Sequence, residues 1–300
     1  MRRHRSARGG PVRTPRAVAA HVRTASAGTG RRESGVIFAA ALGRGMRLVN
    51  QFRLRRHKRR AGGGCREMTM RCTVQGLGWV TTAGHGRRGE GRACVFTHGP
   101  LPKPPACASL AGGLRRFGRL DAYTRLGLAA IALALEDADL AKWNQKRFLG
   151  LVTATETGCF KTDEKYCHTM LPDGGRFASP NLFAYTLPNC MLGEASIHFG
   201  LSGPQFVVED AGSDMLAGVR AGLDMLRFGL CDTVVAGVCN TFIESDTIAG
   251  RCPPGAAFFV LAKDSAGELS LDGDTLRWRD KPVASLASLV NAVGDTGRAS

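Results

Sequence analysis

The 300-residue sequence predicts a layered α/β fold, a mixed and mostly parallel sheet covered by helices. Three observations carry this. Apolar runs of strand length alternate along the chain with helical segments, the order that builds parallel strands with helical crossovers. The helical segments show one-sided apolar spacing with start and stop signals at their ends. Hydrophobic residues make up 44% of the chain, enough to fill a core between such layers. No internal repeat is visible.

The elements follow in order from Met70. "MRCTVQGLGWVTTAG" is an alternating strand ending in a Gly-rich turn. It lacks GxGxxG spacing and a following helix, so it is no phosphate-cradling loop. Residues 85–120 form a Gly-, Pro- and Arg-rich connection broken at Lys103-Pro104-Pro105. "LDAYTRLGLAAIALALEDADL" is a helix with Asp121 near its start. Its Leu120, Tyr123, Leu126, Ala130, Leu133 and Leu135 favour one apolar side. "RFLGLVTATETG" is a buried strand running into a polar turn, and residues 158–187 are irregular. "LPNCMLGEASIHFG" is a helix begun by Pro188 and Asn189 and closed by Gly200. "GPQFVVED" is a strand, "MLAGVRAGLDMLRFG" a helix, and "CDTVVAGVCN" and "PPGAAFFVLAKD" are strands. "ELSLDGDTLRWR" is a hairpin around Asp272-Gly273-Asp274, so residues 264–300 are a short hairpin and tail.

Charge divides the chain. The net charge is +16, and residues 1–69 hold 18 of the 41 Lys and Arg against Glu33 and Glu67 alone. Residues 70–300 hold 23 basic and 23 acidic residues and are neutral. An Arg-rich, acid-poor arm suits a transit peptide or a nucleic-acid contact. Residues 1–69 show no interleaved aromatics for base stacking and no periodic segment for a core. They are therefore expected to be a basic low-complexity extension, disordered or spurious, upstream of a true start at Met68 or Met70. No nucleic-acid partner is expected. The ten cysteines include no CxxC pair, and Cys231 and Cys239 sit in apolar segments. Such cysteines are small buried hydrophobes, which implies a reduced, cytoplasmic context. No apolar run approaches the roughly 20 residues needed to span a bilayer.

The ordered motifs resemble the β-ketoacyl synthases. "GLGWVTTAG" is similar to their opening strand and turn, and "FGRLDAYTRLGLAAIALALEDADL" to their first long helix. "ASPNLFAYTLPNCMLGEASIHFGLSGPQFVVED" is similar to the segment that leads into their nucleophile strand. "AGVRAGLDMLRFGLCDTVVAGV" is similar to the helix and strand that follow, and "PPGAAFFVLAK" to the strand closing the amino-terminal half. The resemblance spans residues 70–263 and implies the amino-terminal half of a thiolase-like layered fold.

Two departures qualify it. In the resembled family a cysteine follows an alanine at the strand-to-helix turn, where a helix amino terminus lowers its pKa. Here the turn is Asp210-Ala211-Gly212-Ser213, so Gly212 stands at the cysteine position. The family's two catalytic histidines lie in its carboxyl-terminal half, and this chain ends 37 residues after Lys263. None of His4, His21, His57, His85, His98, His168 and His198 sits in a motif like theirs. Condensation chemistry is therefore unsupported, and enzymatic activity is left open.

The residues near the turn have ordinary alternatives. Ser213 is the candidate substitute nucleophile, but a serine needs a general base. Capping the helix is the preferred role for Ser213 and for Asp214. Glu209 and Asp210 are adjacent on a strand and point to opposite faces, so they do not converge as an acid/base pair. Like charge from Glu209, Asp210 and Asp214 opposes an oxyanion there. Cys190 is expected in the core. Cys159, Cys167 and His168 match no common metal spacing, and no metal or cofactor is expected. Asp163 and Glu164 beside Lys161 and Lys165 read as a solvated loop. Arg115, Arg116 and Arg119 read as a solvated helix entry, with an acidic surface such as an acyl carrier protein as the alternative. In the resembled family the stretch holding Phe183, Tyr185, Leu187 and Asn189 lies near the dimer contact and acyl pocket.

These points lead to one functional expectation and two rivals. The chain is a ketosynthase-like, non-condensing partner or scaffold subunit of fatty-acid- or polyketide-type biosynthesis, binding acyl chains or carrier protein. It forms a homodimer, or a heterodimer with a catalytic ketosynthase, because residues 70–300 alone would expose an apolar helical layer. The rivals are an acyltransferase or decarboxylase using Ser213, and a truncated, inactive gene product.

Overall fold

A computed structural model describes residues 69–296, except 101–102, 112–116, 211 and 242–251. The basic extension, the proposed start at Met68, Arg115 and Arg116 lie outside the described residues.

Strands β1 (Met70–Thr81), β2 (Gly84–Arg87), β3 (Gly150–Thr155), β4 (Gln205–Glu209), β5 (Thr233–Asn240) and β6 (Gly255–Lys263) belong to one sheet. It continues through β7 (Leu269–Asp272), β8 (Thr275–Trp278) and β9 (Lys281–Pro282), in the order β4-β3-β5-β6-β1-β7-β8-β9, with β2 on β1. Among the described strands, parallel pairing is found in β4-β3-β5, and β6 runs antiparallel to both β5 and β1. The sheet is therefore mixed, as the alternation of strand and helix implies for its parallel block.

The inner strands read as near-continuous apolar runs because helices cover both faces. Their two-residue period divides each strand between two cores. Val152, Val234, Val238 and Phe259 pack with helix α6 (Ala217–Arg227) and helix α7 (Leu286–Gly294). Leu151, Val235, Phe258 and Val260 pack with helix α2 (Ala122–Asp137) and helix α5 (Cys190–Phe199). Helix α1 (Ala108–Ala111) is a single turn that contributes Leu110 to the second core.

Helix α2 begins where Asp121 accepts a hydrogen bond from the Thr124 N–H. Its sequence favours one apolar side, yet 13 of its 16 residues are buried, which corrects that expectation. An apolar helix this rich in Ala and Leu belongs inside a protein. Gly78 on β1 allows the helix to lie on the strand backbone. A Cβ there would sit 2.3 Å from both the Ala130 oxygen and the Ala134 nitrogen. Among the described residues, large apolar side chains that stay exposed lie elsewhere and include Phe148, Leu171, Phe177, Phe183, Leu187, Ile197 and Phe228.

Helix α5 ends at Gly200, whose φ of 64° is the left-handed cap that glycine adopts without strain. Three segments differ from the sequence reading. Residues 85–120 are more than a connection, since they hold most of β2, helix α1 and a 3-10 turn at Phe117–Arg119. Residues 158–187 are not irregular, for they hold helix α3 (Phe160–Met170) and the short helix α4 (Pro180–Phe183). Residues 264–300 are more than a hairpin and tail. Ser285 and Ser288 form a capping box at the start of α7, and Leu286, Leu289, Val290 and Val293 enter the first core.

Candidate functional site

The turn after β4 lies at the carboxyl end of the parallel block. The Asp210 N–H donates to the Thr155 carbonyl at 2.9 Å, continuing the β3–β4 ladder by one residue. Glu209 is exposed and Asp210 is buried, so the two carboxylates do face opposite ways. Asp210 Oδ1 accepts the Gly212 N–H at 3.2 Å, while its buried Oδ2 has no hydrogen-bond partner. Burial pushes the Asp210 carboxyl up to about 6, and the charges of Asp214 and Glu156 add to the rise.

Asp214 holds the other side of the turn. Its Oδ1 accepts the Leu216 N–H at 3.2 Å and its Oδ2 accepts from Arg220 at 2.7 Å. Burial alone would raise this carboxyl, but the hydrogen bonds from Arg220 and Leu216 outweigh it and leave it below its ordinary value. The Leu286 N–H of α7 donates to the Asp214 carbonyl at 2.8 Å, so the carboxyl-terminal helix pins the turn. Met215 is buried with φ 57°, a left-handed conformation that costs a non-glycine residue about 1 kcal/mol or more. The surrounding hydrogen bonds hold the chain in that shape.

The cap assignments need correction. Helix α6 starts at Ala217 with Leu216 as N-cap, four residues beyond Ser213. Ser213 is exposed and does not cap the helix, whereas Asp214 does satisfy the Leu216 N–H. Gly212 is exposed. A Cβ placed on it would sit 3.1 Å from Asp214 Oδ1 and 3.6 Å from Asp210 Oδ1. Any side chain grown from this position therefore points between two carboxylates.

One pH dependence follows. A folded-state carboxyl raised to about 6, against an ordinary value of 3.8, binds its proton more tightly in the native chain. Its contribution to stability is present in acid and is lost as pH rises through about 4 to 6. Asp210→Asn keeps the amide oxygen for Gly212 and carries no charge. The variant is expected to match the wild type near pH 4 and to exceed it by about 2 kcal/mol above pH 7. Urea unfolding at both pH values measures the difference; a constant gap across pH would contradict it.

The other candidates fall around α3 to α5. Phe183, Leu187 and Asn189 are exposed, and Tyr185 is half-buried, donating its hydroxyl to Glu194 Oε1 at 3.1 Å. Cys190 is half-buried rather than in the core, with Sγ 3.0 Å from the Ala184 carbonyl. Asp163 and Glu164 lie on a helix rather than a loop, and Glu164 pairs with Lys161 at 2.8 Å. Burial raises Asp163 to about 6 and raises the Cys159 thiol beside it. Cys159 precedes the first turn of α3, with Cys167 and His168 in the later turns. Among the described residues no group of three or more His, Cys, Asp or Glu is placed to hold a metal ion.

A strand-turn-helix of this kind, in this element order, is the frame of a known family. A family model described as the β-ketoacyl synthase N-terminal domain matches residues 108–258, half of the chain. The chain belongs to the β-ketoacyl synthase family. Among the family's curated members it is 29% identical over 141 residues to the 3-oxoacyl-[acyl-carrier-protein] synthase 2 of Vibrio cholerae, covering 46% of this chain and 33% of that one. It is 28% identical over 143 residues to the tetracenomycin polyketide synthase ketoacyl synthase alpha subunit of Streptomyces glaucescens, covering 45% and 33%. The chain thus spans about a third of these relatives. Among solved structures, the ishigamide ketosynthase/chain length factor superposes with a TM-score of 0.50 at 19% identity, covering 66% of this chain and 63% of that one. A type II polyketide acyl-carrier protein in complex with its ketosynthase gives 0.50 at 18% identity, covering 69% of each. The fold of this ketosynthase relative is thiolase-like.

Proposed function

We propose that this chain is a non-condensing partner or scaffold subunit of a fatty-acid- or polyketide-type synthase, pairing with a cysteine-bearing ketosynthase in the cytoplasm. The observation that carries the reading is the turn at Gly212. It has no side chain to acylate, and two carboxylates flank the direction a side chain would take. An acyl oxyanion there would meet like charge instead of the donors that acyl transfer needs.

Two features support a pairing role. Strand β4 ends the sheet and is an exposed edge, the kind of strand to which another chain adds. Phe206 on β4, and Phe183 and Leu187 in the stretch from α4 to α5, are exposed large apolar residues, and such residues mark interaction surfaces. The pairing of a ketosynthase with a chain length factor, named for one structural relative, is an assembly of this kind. The complex of ketosynthase and carrier protein, named for another, makes a carrier protein a second candidate partner.

Intact-mass measurement after incubation with acetyl and malonyl thioesters tests the non-condensing reading. No acyl adduct is expected on the wild type. An adduct that disappears in Ser213→Ala would instead make Ser213 a nucleophile and the chain an acyltransferase.

A further inference from the structure

A cleft of about 210 Å³ opens between the start of α2 and the neighbouring helices α3 and α4, apart from the Gly212 turn. Its walls carry Arg119, Arg125, Lys161 and Lys165 against one carboxylate, Asp121. The Asp121 carboxylate is already committed. Its Oδ1 accepts the Thr124 N–H at 2.9 Å and its Oδ2 accepts the Thr162 hydroxyl at 2.8 Å. Lys161 is paired with Glu164, while Arg119, Arg125 and Lys165 have no ion pair among the described residues.

Chain geometry brings these cations together. Lys161 and Lys165 are one turn apart on α3 and share a face. Arg119 precedes α2 and Arg125 lies in its first turns, so both segments converge on the amino terminus of a 16-residue helix. The free N–H groups and the dipole of that terminus favour negative charge. Arg125 adds the most specific sign, because its Nε is buried without a hydrogen-bond partner. A buried unsatisfied donor costs about 1–3 kcal/mol, and a small rotation of the guanidinium would bring it to an oxyanion in the cleft and relieve that cost. Leu120, Leu182 and the ring of Tyr185 supply an apolar surface beside the cations.

We propose that this cleft binds a small organic anion, a phosphate or carboxylate head held by Arg125 and Lys165 with a short apolar body against Leu182 and Tyr185. The volume, below the roughly 300–1,000 Å³ of drug-sized sites, sets the short body. The site does not depend on the partner role: a chain that never pairs still binds the anion, and a chain that pairs without binding refutes only this proposal.

Calorimetric titration of the full chain with hexyl phosphate, hexanoate and hexanol tests it. At least one of the two acids is expected to bind at a single site in the millimolar range or tighter, and hexanol at least tenfold more weakly. Which acid binds better identifies the head group. Arg125→Gln is expected to weaken acid binding at least tenfold while leaving hexanol unchanged. Lys165→Gln, at an exposed position, is expected to weaken it several-fold, and serves alone should the Arg125 variant fail to fold. Saturable binding by neither acid, equal binding of hexanol, or unchanged acid affinity in the variants would overturn the proposal.

Discussion

A Gly212→Cys variant is expected to carry a sluggish thiol and to remain without condensing activity. The new Cβ would lie 3.1 Å from Asp214 Oδ1 and 3.6 Å from Asp210 Oδ1, so its thiol would sit beside two carboxylates, and like charge raises a thiol pKa. Reactive cysteines sit in electropositive settings, whereas here two carboxylates lie nearest the position and the nearby cation Arg220 is already held by Asp214. Each unit of pKa rise removes about tenfold of the thiolate near neutral pH. Alkylation by iodoacetamide at this position, followed by peptide mass spectrometry, is expected to run at least about tenfold slower than at a free model thiol. Adding Asp210→Asn and Asp214→Asn is expected to restore about that factor. A fast-reacting Gly212→Cys thiol would show that the carboxylates do not govern the turn.

The second large effect is structural. Gly218 is the second residue of α6, and a Cβ there would lie 1.9 Å from the Gly237 carbonyl oxygen and 3.0 Å from the Ala154 nitrogen. These neighbours are strand backbone and cannot rotate away. Gly218→Ala must therefore lift the first turn of α6 from β3 and β5, pulling on the Asp214–Leu216 segment before it. Overpacking against a rigid neighbour costs about 1–3 kcal/mol, and this contact belongs at the top of that range. A loss of about 3 kcal/mol should lower the Tm by roughly 6–12 °C for a chain of this size. Gly193→Ala is the control: it sits in α5 with no atom within 4 Å of its Cβ, and helix propensity predicts a gain below about 1 kcal/mol. Equal melting temperatures for the two variants would mean that α6 does not press on the sheet as described.

Much of the frame is legible in the sequence because burial enforces period. Strands β3, β5 and β6 are mostly apolar and buried along nearly their whole length, and α5 is bounded by Asn189 and Gly200. Helix α3 is harder to see. In "FKTDEKYCHTM" only Thr162 is buried, so no apolar stripe marks it, and Cys159 before it makes no side-chain cap. Helix α7 does carry its signal, with Ser285 and Ser288 at the cap and apolar residues at helical spacing. Its closeness to a hairpin of short strands hides it in a linear reading.

The site divides the same way. Gly212 at the expected cysteine position is visible by motif order alone. The buried, half-satisfied state of Asp210 is not, because it depends on Thr155 from another strand and on the charges of Asp214 and Glu156. Nor is the real start of α6, where the turn tightens through Met215 before Leu216 and leaves Ser213 outside the helix. The cationic cleft needs two segments about forty residues apart to meet, and local pattern says nothing of that.

Native mass spectrometry of the chain mixed with a cysteine-bearing ketosynthase from the same organism tests the central claim most directly. A one-to-one heterodimer is expected, weakened when Leu187 and Phe206 are both changed to Asp. A chain that stays monomeric, with the ketosynthase found only with itself, would contradict the partner role.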